Sequence, residues 1–301
     1  MTKVKAWVSA FRLRTLPLAL SSIIMGGFLA HFYGAFNWSI LVSSALTTLF
    51  LQVLSNLAND YGDTVNGADH EGREGPQRMV QTGAIGLSAM KKAIVVFAIL
   101  SLLSGIILIY LAFRKVSDYQ SILFFLIGLA AIGAAMKYTM GKNPYGYKGQ
   151  GDIFVFIFFG LVGVAGSFYL YTQTINLLVL LPASSVGLLS AGVLNLNNMR
   201  DVKSDQEAGK HTLVVKLGIS NAKKYHLVLV LVAIVTTVVF VSMHQFTPIS
   251  FFFIVSLPFF ARHLVVVHKA SKADDFDPEL KKLALSTLLF VFLFGFGLMM
   301  S

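Results

Sequence analysis

IFVFIFFGLVGVAGSFYLYTQTINLLVLLPASSVGLLSAGVLNLNNM, residues 153–199, contains no Asp, Glu, Lys or Arg. One helix needs about 20 apolar residues to cross a bilayer, so this stretch reads as a helical hairpin that crosses twice. Lipid offers no partner to a backbone amide, and a helix satisfies its own.

The rest of the chain shares this character. Of 301 residues, 56% are hydrophobic and 13% charged, and the mean hydropathy is +0.74, well above that of a soluble domain of this length. Nine segments are long and apolar enough to span: 17–34, 38–59, 93–113, 119–138, 153–173, 177–197, 225–243, 247–267 and 281–300. The expected fold is an all-α membrane bundle of nine transmembrane helices, one domain over residues 1–301. Pro182 and Pro258 interrupt the sixth and eighth spans, so kinks are expected there.

Cysteine is absent, which removes disulfides, thiolate metal sites and a cysteine nucleophile. A net charge of +10 and a pI near 9.7 would suggest nucleic acid in a soluble protein. Here the basic residues lie between apolar spans and report topology, with the lipid bilayer as partner and no nucleic acid. With the N-terminus in the cytoplasm, 22 of the 24 Lys and Arg fall inside, leaving Arg114 and Lys115 outside. That split predicts an N-in, C-out chain. Residues 1–16 place Val4, Trp7, Val8 and Phe11 on one helical stripe among Lys3, Lys5, Arg12 and Arg14. Two readings stand for it: a helix lying in the headgroup region, or a basic flank that orients the first span.

Eight of the fourteen acids fall in two cytoplasmic loops. Asp60, Asp63, Asp69, Glu71 and Glu74 lie in or at the edge of 60–92, and Asp201, Asp205 and Glu207 lie in 200–224. The loops resemble each other, with Asn56-Leu57-Ala58-Asn59-Asp60 closing the second span and Asn195 through Asp201 closing the sixth. Four spans separate them, so a duplication in parallel repeats puts both at the same membrane face; chance likeness of two Asn-rich helix ends is the alternative.

Asp60 and Asp63 stand at i, i+3, and Asp201 and Asp205 at i, i+4, so each pair shares a helix face. Like charges so spaced at a membrane boundary are unfavourable unless a cation joins them. Mg²⁺ suits them, because it takes oxygen ligands and is usually held by one or two carboxylates together with substrate phosphates. Metal so held would stabilise charge on a departing diphosphate, and Arg78 and Lys210 would add positive charge from the same loops. A single aspartate of this kind is ordinarily a solvated or capping acid; two matched pairs at the ends of apolar helices argue against that for the set.

With these motifs quoted, the chain resembles the UbiA superfamily of intramembrane aromatic prenyltransferases over nearly its whole length. The markers are Asn59-Asp60-x-x-Asp63 and Asp201-x-x-x-Asp205. Within it the chain looks like the 1,4-dihydroxy-2-naphthoate polyprenyltransferases of menaquinone synthesis. That likeness rests on Arg14-Thr15-Leu16-Pro17, Asn56 through Asp69 with Gly75-Pro76-Gln77-Arg78, Pro144 through Asp152, and Asn198-Met199-Arg200-Asp201 through Gly209-Lys210-x-Thr212. The resemblance implies Mg²⁺ at Asp60, Asp63, Asp201 and Asp205 and a diphosphate near Asn56 and Asn197, and Asn59 and Arg200 of the same motifs are expected to bind substrate. Many members carry a third aspartate where this chain has Gly67, and Asp69 is expected to take its place. The substrates implied are a polyprenyl diphosphate and 1,4-dihydroxy-2-naphthoate, in a bacterial cytoplasmic membrane, with 4-hydroxybenzoate, homogentisate or haem as other acceptors in the superfamily.

The loop from Lys137 to Asp152 holds Tyr138, Lys142, Tyr145, Tyr147 and Lys148 around Pro and Gly. It reads as a lid or acceptor-binding loop, or as interfacial anchors; Asp152 reads as a helix N-cap. Phe154, Phe156, Phe158 and Phe159 are candidates for a polyprenyl groove, although phenylalanine in a membrane helix commonly faces lipid. The seven His show no ligand spacing, and His70 and His211 sit in the key loops. A transporter is the competing class, but transporters hold ionisable groups near the midplane, whereas these acids gather at one face.

Overall fold

The computed structural model describes residues 2–69, 75–115, 117–244 and 247–301. Glu71, Glu74 and His70, singled out above, lie outside the described residues. Among the described residues there is no strand, and nine segments are long and apolar enough to cross a membrane: Lys3–Phe32, Trp38–Val65, Leu87–Phe113, Tyr119–Lys137, Gly151–Thr172, Leu177–Arg200, Leu213–Ser242, Pro248–Lys269 and Ala273–Met300. Each contains one expected span or most of it. The chain is an integral membrane protein.

The first segment is not one rod. Helix α1 (Lys3–Phe11) ends where Arg12 adopts a left-handed φ of 49°, and a 3₁₀ turn leads into α2 (Leu16–Phe32). Ala6 and Ala10 are buried and Trp7 and Phe11 pack beside them, while Val4 and Val8 remain exposed. The N-terminal segment is therefore docked on the bundle as well as amphipathic.

Helix α3 (Trp38–Val65) runs past its apolar part, so Asp60 and Asp63 stand on its last turns rather than in a loop. Helices α4 (Leu87–Phe113) and α5 (Tyr119–Lys137) follow. The fifth span holds a difference from expectation: between α6 (Gly151–Val155) and α7 (Ser167–Thr172), residues Phe156–Gly166 wind as a π-helix. Such wide winding is rare and usually limited to a turn.

Pro182 does not kink the sixth span. It lies in the first turn of α8 (Leu180–Arg200), just after a 3₁₀ turn, where a missing N–H breaks no helical bond. Pro258 does mark a change, from 3₁₀ winding over Pro248–Ser256 to α-helix. Helix α8 gives way at Asp201 to the short α9 (Val202–Glu207). Helix α10 (Leu213–Ser242) is broken at Gly218, whose φ of 74° and ψ of 157° are not helical. Helices α11 (Leu257–Lys269) and α12 (Ala273–Met300) complete the chain.

Two apolar cores result. One joins α2, the π segment, α7, α8 and α10 to α12 through Met25, Leu29, Val186, Phe240, Phe290 and Phe294. The other joins α1, α3 and α4 through Ala10, Leu54, Leu57, Met90 and Ile94. Close approach within the first core depends on glycine. A Cβ on Gly160 of the π segment would lie 2.7 Å from the Ala183 carbonyl oxygen and 2.9 Å from Gly187 Cα of α8.

Gly160→Leu should therefore lower the thermal stability of the detergent-solubilised protein by about 1–3 kcal/mol, the usual cost of overpacking. Gly133→Leu on α5, where a Cβ would meet nothing within 4 Å, should leave it unchanged. Melting curves of the two variants check this.

Candidate active site

The last turns of α3 place four polar side chains in succession. Asn56 Nδ2 donates to the Phe11 carbonyl at 2.9 Å and to Thr15 Oγ1 at 3.1 Å, fastening the N-terminal segment to α3. Asn59 accepts from Arg12 at 2.8 Å and donates to Asp63 Oδ2 at 3.2 Å. Asp60 turns to the following loop, where its Oδ2 accepts the Met79 N–H at 3.2 Å. Asp63 Oδ1 accepts from the Tyr147 hydroxyl at 2.9 Å and from Lys210 Nζ at 3.4 Å. The loop carrying Tyr147 lies against α3 because position 62 is glycine: a Cβ there would come within 2.7 Å of the Thr139 backbone.

After α3 the chain folds back through Gly67, at φ 77°, and the Asp69 N–H donates to the Asp63 carbonyl at 3.2 Å. Asp69 is buried and its Oδ2 lies 3.7 Å from Arg78 Nε. These two expected site residues face each other at the rear of the loop.

The second motif is built around Arg200, whose side chain is almost wholly buried. Its Nε and one terminal nitrogen donate to Asp201 at 2.7 and 2.8 Å, and that same nitrogen also reaches Asn197 Oδ1 at 2.8 Å. The other terminal nitrogen meets Asp277 of α12 at 2.6 Å. Asp277 also takes Arg14, at 3.4 Å. Asp205, one turn beyond Asp201, faces Lys210 Nζ at 3.4 Å.

Lys210 joins the motifs. Its Nζ lies 3.4 Å from both Asp63 and Asp205, so those carboxylates are within twice that distance of each other, and it sits 5.0 Å from the centre of the Tyr147 ring. Burial favours the neutral amine, but Asp63 and Asp205 outweigh it and hold the ammonium charged well above the usual lysine range. Burial, only partly offset by Lys210, pushes the Asp205 carboxyl up to about 6. Burial and the Asp63 charge raise the Tyr147 phenol, which stays a donor.

Below this polar layer lies a cavity of about 390 Å³. Its mouth is lined by Arg12, Arg14, Asn56, Asn59, Tyr138, Tyr145, Asn197 and Lys281, and its body by residues such as Ile23, Leu51, Ile109, Phe124, Phe158 and Leu170. Of the phenylalanines considered, Phe154, Phe158 and Phe159 line it, whereas Phe156 packs against Gly187. Tyr145 stacks on Phe154 with centroids 3.9 Å apart.

Two expected binding residues are not brought to this place. Lys142 and Lys148 are exposed and absent from the cavity wall, and Lys148 contributes only its carbonyl, to Lys216. A charged side chain in a loop at the membrane surface is solvated at no cost, and nothing here draws these two inward. Asp152 is bound by the Tyr225 hydroxyl at 3.3 Å, and His211 is exposed. The sequence carries no sign of Asp277, which sits in an acidic helix start that looks like capping, and it marks Arg12 and Arg14 as interfacial charges, with Arg14 also in a motif of the resemblance, but not as residues of the cavity mouth.

Among the described residues no three His, Asp or Glu gather closely enough to hold an ion as they stand. The donor set nevertheless fits a hard divalent cation. Every candidate ligand is a carboxylate oxygen, and Asp205 Oδ2 is buried without a hydrogen-bond partner.

The UbiA prenyltransferase family profile matches residues 19–296. The 1,4-dihydroxy-2-naphthoate octaprenyltransferase of Haemophilus influenzae is 41% identical over 99% of this chain and 96% of its own. Its counterpart from Escherichia coli is 39% identical over 100% and 97%. Among solved structures, a UbiA homolog from Archaeoglobus fulgidus bound to DMAPP and Mg²⁺ aligns with a TM-score of 0.62 at 17% identity, over 96% of this chain and 98% of that one. The apo structure of a UbiA homolog from Aeropyrum pernix K1 aligns with a TM-score of 0.65 at 17% identity, over the same shares. These structures are similar in fold.

Replacing Lys210 by Met leaves two buried carboxylates facing each other. In chelator this variant should lose about 3–5 kcal/mol of stability, the usual cost of removing one partner of a buried pair. Thermal denaturation of the two proteins in EDTA measures it.

Proposed function

The chain belongs to the UbiA prenyltransferase family and is a prenyltransferase rather than a transporter, and from that premise we propose that it joins a polyprenyl group to 1,4-dihydroxy-2-naphthoate with loss of CO₂. The observation that carries the site assignment is the meeting of two acid motifs at Lys210, directly above an apolar cavity. The names of the relatives support the acceptor.

Asp60, Asp63, Asp201 and Asp205 are the residues that would hold Mg²⁺, and Asp69, turned toward Arg78, supports the loop beside them. Bound there, the ion supplies positive charge where the leaving diphosphate gathers negative charge. The chain's own cations act on the same oxygens: Arg12 and Arg14 line the mouth, Lys210 stands between the motifs, and Arg200 fixes Asp201 and Asn197 in place. The cavity body takes the first isoprene units and excludes water from the reacting carbon. Tyr138, Tyr145 and Phe154 present aromatic faces to positive charge developing on that carbon.

The ring carbon that bears the acceptor's carboxylate, made electron-rich by the two hydroxyls, forms a bond to C1 of the prenyl group as the C–O bond to diphosphate breaks. The carboxylate leaves as CO₂, and its bonding pair returns to the ring and restores aromaticity. The product is the reduced form of demethylmenaquinone, which places the enzyme in menaquinone biosynthesis. Orientation of the acceptor carboxylate falls to Lys281, which lines the mouth, in place of the exposed Lys142 and Lys148. The unequal division of Lys and Arg supports an orientation with the N-terminus cytoplasmic and the C-terminus outside, and the bacterial sources of the relatives support the inner membrane.

Carboxyl-labelled 1,4-dihydroxy-2-naphthoate, supplied with a polyprenyl diphosphate and Mg²⁺, should release its label in step with prenylated product. Transfer to 4-hydroxybenzoate or homogentisate, with none to the naphthoate, would keep the prenyltransferase and replace the acceptor.

A further inference from the structure

Behind the cavity, a chain of buried polar groups joins four helices. Asn195 Nδ2 of α8 donates to the Ala222 carbonyl of α10 at 3.1 Å and lies 3.5 Å from His226 Nδ1. His226 Nε2 meets His263 Nε2 of α11 at 2.9 Å. His263 Nδ1 meets Glu279 Oε2 of α12 at 2.6 Å, and Lys282 Nζ donates to Glu279 Oε1 at 2.6 Å. Asn195, His226, His263 and Glu279 are buried, and Lys282 reaches solvent. None of them lines the cavity.

One arrangement of protons satisfies these contacts. The Glu279 carboxylate, held by Lys282, can only accept, so His263 carries its hydrogen on Nδ1 and leaves Nε2 bare. His226 must then donate from Nε2, which leaves its Nδ1 to accept from Asn195. In this arrangement each imidazole donates from one ring nitrogen, and the bonds from Asn195 through His226 and His263 run toward Glu279.

Where the chain grips is as informative as what it contains. At about 100° per residue, Asn195 lies about 160° around α8 from Asn197, and Glu279 the same angle around α12 from Lys281. Asn197 and Lys281 line the cavity mouth, so the network holds the backs of the two helices whose fronts form it. Those fronts are tied to each other by Arg200 and Asp277. Gly192, one turn before Asn195 on α8, faces the same ring: a Cβ there would be in ordinary contact with His226, at 3.5 Å. Hydrogen bonds are directional and so fix the rotation of a helix about its axis, and a displacement of about 1 Å at a reacting group costs up to about 100-fold in rate.

We propose that Asn195, His226, His263 and Glu279 are positioning residues that set the rotation of α8 and α12, and through it the aim of Asn197, Arg200 and Asp201 at the diphosphate. This rests on the reading of the acid motifs given above. Steady-state kinetics per folded molecule, with the prenyl diphosphate varied, test it on Asn195→Leu and His263→Phe, which cut the chain at different links, and on Glu279→Gln, whose amide oxygen still accepts from His263. The two cutting variants should raise KM for the prenyl diphosphate about 10-fold, and Glu279→Gln should stay within about two-fold of wild type. Leucine keeps the branching and heavy-atom count of the asparagine side chain and suits a membrane interior, so Asn195→Leu decides the matter even where His263→Phe does not fold. Wild-type KM in Asn195→Leu, with only a lower melting temperature, overturns the proposal. Asp201→Asn in the same experiment separates the two claims: wild-type turnover there removes the acid-motif reading, and this proposal with it, whereas loss there beside wild-type KM in Asn195→Leu overturns the network alone.

Discussion

The Lys210 ammonium stands between two carboxylates from distant parts of the chain, and the rest of the structure has to make that meeting possible. Buried charges are tolerated only when paired, and here one cation serves Asp63 from α3 and Asp205 from α9. For them to meet, both motif-bearing helices must end at the same face of the bundle. The loop carrying Tyr147 must cross α3 at Gly62, and the chain after α9 must turn back so that the Lys210 N–H meets the Asp205 carbonyl, at 2.8 Å. Mutual repulsion of the acids is thereby turned into a cross-link.

Polar mouth and apolar body divide the task of an enzyme whose substrate is half diphosphate and half hydrocarbon. Arginines, asparagines and aspartates converge at the C-terminal ends of α3 and α8, while the cavity beneath is walled mainly by aliphatic and phenylalanine side chains. Neither half needs the other's chemistry. What links them is helix geometry, because α3, α8 and α12 each contribute both a cavity wall and a charged or amide group at the mouth. A helix that rotates misplaces both, which gives the hydrogen-bonded histidines behind α8 and α12 a bearing on the site.

Much of this was legible in the sequence, for physical reasons that also mark where legibility ends. Spans are fixed by length and apolarity, so all nine were readable, and aspartates at the ends of apolar helices stand out because burying charge there is unfavourable. The π winding of Phe156–Gly166 was not readable: a segment apolar on every side has no polar phase from which to count residues per turn. Pro182 was misjudged because its effect depends on where the helix starts, a boundary that apolarity leaves open. Lys142 and Lys148 carried the right charge in the right loop, but charge says nothing about the direction a side chain takes. The Arg200–Asp277 pair, 77 positions apart, was invisible because each residue has an ordinary local explanation, a helix C-terminus and a helix N-terminus.

The central claim is that the two acid motifs act as one binding site for a metal-bound diphosphate. Direct binding of a short-chain prenyl diphosphate to the purified protein, measured calorimetrically with Mg²⁺ and with EDTA, addresses it without dependence on the acceptor. Wild type should bind in Mg²⁺ and weaken sharply in EDTA, and Asp63→Asn and Asp205→Asn should each weaken Mg²⁺-dependent binding about 10-fold or more, one from each motif. Equal affinity in Mg²⁺ and EDTA, or wild-type affinity in both variants, would contradict it.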